Sequence, residues 1–287
     1  MDGHGSGPEA LAWFGWVSWV AVFVSLICYS VGSVLQSIGA RRTAHLAGLS
    51  AMAYIVVELP YLAGVAVDGL AFGLKVVALQ TLPLFVVQSI LAGVVGVTAI
   101  IAHVHGDRLH GRDWSALAAL ALGLVLVSVT AESNPAIRIA PGVQLTILLS
   151  IVLPIVVGLI GLRMSSHYAP LVLAAGAGLA WSGLAIASRG ISGAPPGMYL
   201  LELPLTWAIL VHGIVGLVCF ALALRRGAVA MMNAVIFVLE MIIPSAIGLW
   251  LFGDGVAPGG ELWAGLGFFL AVGGTVSLII TRHQLHV

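Results

Sequence analysis

Charge is what this sequence has least of. Only 8% of its 287 residues are Asp, Glu, Lys or Arg, where an ordinary soluble domain carries about a quarter. Lysine occurs once, as Lys75, against ten arginines. No basic run is present, which excludes the electrostatic footprint of a nucleic-acid-binding protein. Cysteine is scarce too. Cys28 and Cys219 stand alone in apolar stretches without CxxC or Cys/His spacing, so no zinc site is expected and both read as packing residues. Equally missing are the phosphate-cradling loop of an ATPase, the HExxH helix of a zinc protease and the GxSxG elbow of a hydrolase. Neither an enzyme nor a resident cofactor is therefore expected. The N-terminal MDGHGSGPEA holds two acids and no Lys or Arg, unlike the basic start of a secretory signal, so the first apolar stretch should stay in place as a helix.

What the sequence has in excess is hydrophobicity, at 61% of residues and a mean hydropathy of +1.14. No soluble fold can bury that much apolar surface. A helix needs about 20 apolar residues to cross the hydrocarbon core of a bilayer, and such stretches recur along the chain. They predict an all-α polytopic membrane protein with nine helices, at about Phe14–Ile38, Tyr61–Leu82, Leu84–His103, Trp114–Thr130, Val143–Leu162, Pro170–Ser188, Leu205–Leu224, Val229–Phe252 and Leu262–Thr281. With the N-terminus outside, the inner loops collect Arg41, Arg42, Arg108, Arg112, Arg163, Arg225, Arg226 and Arg282, and the outer loops keep Arg138 and Arg189. The outer side also takes Asp2, Glu9, Glu132, Glu202, Asp254 and Glu261. That asymmetry follows the positive-inside rule and predicts a bacterial inner-membrane protein with a cytoplasmic C-terminus. Making residues 43–59 a tenth span would carry Arg41 and Arg42 outside, so this stretch reads as an inner-surface helix or a re-entrant segment.

The chain also repeats itself. Val57-Glu58-Leu59-Pro60 recurs as Leu201-Glu202-Leu203-Pro204, and at the same offset Asp68-Gly69 matches His212-Gly213. Ala78-Leu79-Gln80 matches Ala223-Leu224-Arg225 with a one-residue slip. Gly106-Asp107-Arg108-Leu109, leading to Trp114, resembles Gly253-Asp254-Gly255-Val256, leading to Trp263. Helix one, ending Gly39-Ala40-Arg41-Arg42, resembles helix six, ending Ile186-Ala187-Ser188-Arg189. Helices one to four thus pair with six to nine, and the odd connector between them inverts the second copy. The predicted organisation is an external tail 1–12, a first repeat 13–131, a connector helix 143–162, a second repeat 169–281 and an internal tail 282–287. Inverted repeats are typical of secondary transporters, in which two related halves rock about a shared site.

The run Ala78-Leu79-Gln80-Thr81-Leu82-Pro83-Leu84-Phe85-Val86-Val87-Gln88, followed by Gly106-Asp107-Arg108-Leu109, resembles the drug/metabolite transporter superfamily. The stretch from Ala223 through Pro244 to Gly253-Asp254 resembles its EamA-type repeat, with Gly-Asp standing in both halves where the pattern has Gly-Glu. The nine-helix count is similar to the NIPA-like branch, some of whose members carry magnesium, and to uncharacterised actinobacterial membrane proteins. The resemblance covers most of the chain and implies a carrier. Its motifs concern packing and loops, and they imply no substrate, since the superfamily carries amino acids, drugs, sugars and metals.

Ionisable groups inside the hydrocarbon are costly and mark candidate sites. Asp68 and Lys75 lie seven residues apart in helix two, about 10 Å along the axis, too far for direct contact; they either share a water-filled cavity or each find a partner on another helix, and the competing reading of Lys75 is a packing ion pair or a group that snorkels to an interface. Glu240 sits mid-way along helix eight, four residues before Pro244, whose missing N–H frees the carbonyl of residue 240 and favours a kink. A carboxylate beside a free carbonyl suits a cation, a proton or an amine; the competing reading is a protonated glutamate bonded to a neighbouring helix. His212 stands at the repeat position of Asp68, either as a second group for one cavity or as a packing residue. Asn233, Gln80 and Gln88 are the neutral hydrogen-bonding candidates. His103, His105 and His110 with Asp107 and Asp113 form a loop cluster, either solvated or sensitive to pH or metal. Small-residue pairs such as Gly69 and Gly73 fit close helix packing.

Together these features predict a secondary transporter of a small metabolite, amine-bearing or neutral, exported by alternating access in exchange for protons. A magnesium or other divalent-cation carrier is the transport alternative. A non-transporting scaffold subunit of an envelope-assembly complex is the alternative from another class, and a lipid-linked sugar is a third kind of cargo. The expected partners are membrane lipid, the small molecule or ion carried, and a second copy in a homodimer, with no nucleic acid.

Overall fold

The computed structural model describes residues 8–42, 58–104, 109–132, 137–193, 200–224 and 229–284. The stretch 43–57, where a surface or re-entrant helix is expected, lies outside them.

Nine helical spans fill the described chain. They are α1 (Pro8–Arg42), α2 (Leu59–Ala78), α3 in two segments (Leu84–Ala92 and Val94–Val104), α4 (Gly111–Val129), α5 in two segments (Pro141–Leu149 and Val152–Arg163), α6 (Ala169–Ser192), α7 (Pro204–Leu224), α8 (Val229–Leu251) and α9 (Glu261–Gln284). Eight contain a stretch long and apolar enough to cross a bilayer, and α8 contributes the shorter apolar run Val235–Leu251. The protein is thus an all-α, multi-pass membrane protein. Its apolar outer surface agrees: Leu122, Val125 and Val129 of α4 and Leu153, Val156 and Ile160 of α5 are exposed, as fits contact with lipid. Trp16, Trp114, Trp207, Trp250 and Trp263 are also exposed and stand toward helix ends, the level at which indole rings favour the membrane–water boundary.

Local chemistry explains the boundaries. Proline opens α2, α5, α6 and α7, where its missing N–H costs nothing because the first turn has no acceptor for it. At the start of α4 the His110 N–H donates to Asp113 Oδ2 at 2.9 Å in a capping box. The chain leaves α8 through Gly253, whose φ of +63° is open to glycine and strained for most other residues.

The packing is arranged in pairs. Helix α1 lies on α2, α6 on α7 and α4 on α9, while the first segment of α3 lies on α8. Helix α6 also packs on α8 and on the second segment of α5. Glycine allows the close approaches. A Cβ on Gly123 would fall 2.6 Å from the Gly267 carbonyl oxygen of α9, and one on Gly274 2.7 Å from the Ala116 carbonyl of α4. The expected pair Gly69 and Gly73 does not act this way: a Cβ at either meets nothing within 4 Å. In α2 it is Gly64 that packs, against Gln36 and Gly32 of α1, because it lies on the opposite face of the helix.

The loops after α4 and α8 meet through one antiparallel bridge between Ala131 and Val256. Among the described residues there is no β-strand.

Candidate functional site

Helix α2 carries its two charged residues on the side facing α1 and α8. Lys75 is 2% exposed, and its Nζ lies 3.5 Å from Glu240 Oε1, whose side chain is 20% exposed. A lysine that deep is not snorkelling to an interface; its charge is answered inside the protein, on a helix of the other half of the chain. Asp68, two turns before Lys75, accepts a 2.5 Å bond from Gln36 Nε2 of α1, and its Oδ1 is buried without a hydrogen-bond partner. Gly32 makes the space for that carboxyl, since a Cβ there would collide with Asp68 Oδ1. The structure therefore gives the two charged residues of α2 separate partners, Asp68 on α1 through Gln36 and Lys75 on α8 through Glu240. Helix α8 runs unbroken through Pro244.

His212 is held by a different set of helices. Its Nδ1 donates to the Ala208 carbonyl at 2.8 Å, one turn back on α7, and Nε2 lies 3.1 Å from Ser150 Oγ at the break in α5. The Ser150 hydroxyl is also 2.7 Å from the Ile147 carbonyl, so its one proton serves either the backbone or the imidazole. A Cβ on Gly183 of α6 would collide with the ring. Asp68 and His212 are thus each received by a glycine of the preceding helix, in the two halves respectively. Gln80 is exposed beyond the end of α2. Gln88 is buried at 3% on α3, and its Nε2 has no partner, as is also true of Thr81 Oγ1 and Ser89 Oγ. Each such group costs about 1–3 kcal/mol. Asn233 stands on α8 with its side chain outside those described, and His105 and Asp107 are outside the described residues altogether. Asp113 is buried where it closes the capping box with His110 at the start of α4, and His103 meets Trp114 edge-on at 5.9 Å.

The largest departure from the sequence reading is Arg189. Counted above with the outer-loop charges, it lies instead on α6, which runs four residues past Ser188, and it is fully buried. Asp254, also assigned to an outer loop, is its partner: Arg189 Nη2 donates to Asp254 Oδ1 at 2.7 Å, and Nη1 donates to the Leu79 carbonyl. Asp254 Oδ2 in turn accepts the Leu84 N–H at 2.5 Å. Leu79 ends α2 and Leu84 begins α3, so the guanidinium meets the negative end of one helix and the carboxylate the positive end of the next. Burial pushes the Asp254 carboxyl above its ordinary range, against the pull of Arg189 and the Leu84 amide. A Cβ on Gly248 would sit 2.7 Å from Asp254 Oδ2, so the carboxylate occupies space that glycine leaves. The sequence did hold a signal for this node in the Gly253-Asp254 motif; what hid it was the placing of α6's end.

Among the described residues no group of three or more His, Cys, Asp or Glu is arranged to hold a metal ion. Compared with known proteins, the chain matches no family model, no curated protein and no solved structure.

Proposed function

We propose that this protein is a secondary transporter that moves a small amine-bearing or neutral metabolite across a bacterial inner membrane, exporting it by alternating access in exchange for protons. The observation that carries this reading is the Lys75–Glu240 pair at 3.5 Å, a buried lysine beside a partly buried glutamate, which joins α2 of the first half to α8 of the second. A direct charge-assisted bond is typically about 2.7–2.9 Å, so this pair is apposed without being locked. A proton or a ligand ammonium competes with Lys75 for Glu240, and either one loosens the contact between halves. Asp68, with one oxygen unpartnered nearby, supplies a second acceptor.

The packing supports two related halves. Exchanging helices one to four with six to nine turns the α1–α2 pair into α6–α7, and maps the α3–α8 and α4–α9 contacts onto themselves. Likeness to the drug/metabolite transporter superfamily points the same way at the level of motifs. In the orientation set by arginine bias, the N-terminus is outside; with Arg189 neutralised inside the protein, Arg138 alone remains in the outer loops.

Ligand stabilisation in lipid nanodiscs tests the reading, with a panel of amino acids, polyamines, drugs and divalent cations and with Glu240→Gln as the paired variant. A stabilising metabolite whose effect is lost in Glu240→Gln supports it, the shift growing with ligand concentration over its dissociation constant. Stabilisation by divalent cations alone moves the cargo to a metal. No stabilisation across the panel overturns the carrier reading in favour of a scaffold or a lipid-linked cargo.

A further inference from the structure

We propose that the Arg189–Asp254 pair is the latch that holds one end of the helix bundle closed, and that this end opens by its separation. The proposal rests on the carrier reading above.

The node joins the halves at the α2–α3 turn, where Leu79, Leu82 and Leu84 also share a buried apolar core with Ile186, Ala187 and Phe252 of the second half. Helix α2 packs chiefly on α1, and α6 chiefly on α7 and α8. Arg189, bonded to Leu79, and Ser192, whose Oγ donates to the Val76 carbonyl at 3.2 Å, tie α6 to the end of α2. Asp254 repeats the arrangement from the loop after α8, binding the first amide of α3. Two groups of the second half thus clasp the α2–α3 turn of the first, one on each side of it. Those grips are polar and terminal, so they exchange for water when the end opens, whereas the α4–α9 contact is glycine-backed packing that offers no such exchange.

What lies behind the node has the character of a surface held shut. Thr81, Gln88 and Ser89, on or just after the clasped turn, bury polar atoms that have no partner in this arrangement and would gain water or ligand on opening. Lys75 is one turn from Leu79, and its carbonyl accepts the Leu79 N–H at 3.0 Å. The ion pair to Glu240 and the latch therefore pull on the same end of α2, so losing the first shifts more of the polar hold onto the second.

The test uses the full chain in lipid nanodiscs with Cys28→Ala and Cys219→Ala, and a membrane-impermeant maleimide. Ser89→Cys reports behind the latch; Ala99→Cys, buried on the second segment of α3, reports toward the other end. Replacing both charges together, Arg189→Gln with Asp254→Asn, avoids stranding one of them. Expected is a rise of at least tenfold in labelling at Ser89→Cys and a fall at Ala99→Cys. A rise at Ser89→Cys with Ala99→Cys unchanged keeps the latch and contradicts alternating access. Unchanged labelling at Ser89→Cys overturns the latch, and so does a rise at both positions, which marks a structural staple. Should the double variant not fold, Arg189→Lys, which keeps the charge and loses the fork, is expected to label Ser89→Cys at an intermediate rate; a wild-type rate there overturns the proposal.

Discussion

Gly32 and Gly183 show how much depends on single hydrogens in this protein. Each fills the place against which a polar side chain of the next helix is seated, Asp68 in one case and His212 in the other. Gly32→Ala or Gly183→Ala should lower stability by about 1–3 kcal/mol, the usual cost of overpacking a filled site, read as a fall in melting temperature in nanodiscs. Gly69→Ala, on an open face of α2, should leave the melt unchanged or raise it slightly, since alanine is the better helix former. Spacing alone picked out Gly69 and Gly73 as packing residues, because it carries no information on which face of α2 meets α1. The same limit applied to charge. Lys75 and Glu240 could be recognised as costly intramembrane groups, but their pairing across helices and halves follows from tertiary packing. Arg189→Leu by itself, leaving Asp254 buried and unpaired, should cost about 3–5 kcal/mol; a melt within a degree or two of wild type would show that the pair contributes little.

At the scale of elements, the helices were legible because apolar runs of bilayer length have few alternatives. Eight of the nine carry a span long and apolar enough to cross, and prolines mark the starts of four. Helix ends were less so. The prediction stopped α6 at Ser188, since an arginine normally signals water; in fact Asp254 and a helix terminus supply what water would, and the helix continues to Ser192. The exit from α8 depends on Gly253 at φ +63°. Gly253→Ala is expected to cost about 1–2 kcal/mol for the left-handed backbone, and Gly253→Asn, better tolerated in that region, to recover part of it. Equal melts for the two variants would argue against backbone conformation as the reason for this glycine.

For the whole molecule, composition fixed the solvent and hydropathy the class, an all-α protein that crosses the membrane several times. The repeat suggested which helices correspond; packing adds that α3 meets α8 and α4 meets α9, the pairs that the proposed correspondence maps onto themselves. The identity of the cargo we propose was not legible, because a small site in a membrane bundle is made of few side chains drawn from distant segments. Here Gln36, Asp68, Lys75 and Glu240 come from three helices with no shared motif.

The most direct test of carrier function is proton flux in proteoliposomes that enclose a pH-sensitive dye, recorded on adding each stabilising metabolite. Wild type should show a metabolite-dependent pH change that Glu240→Gln abolishes while its melting temperature is retained. Metabolite movement in wild type without any pH change would contradict proton exchange, and an unaltered signal in Glu240→Gln would contradict a role for the Lys75–Glu240 pair.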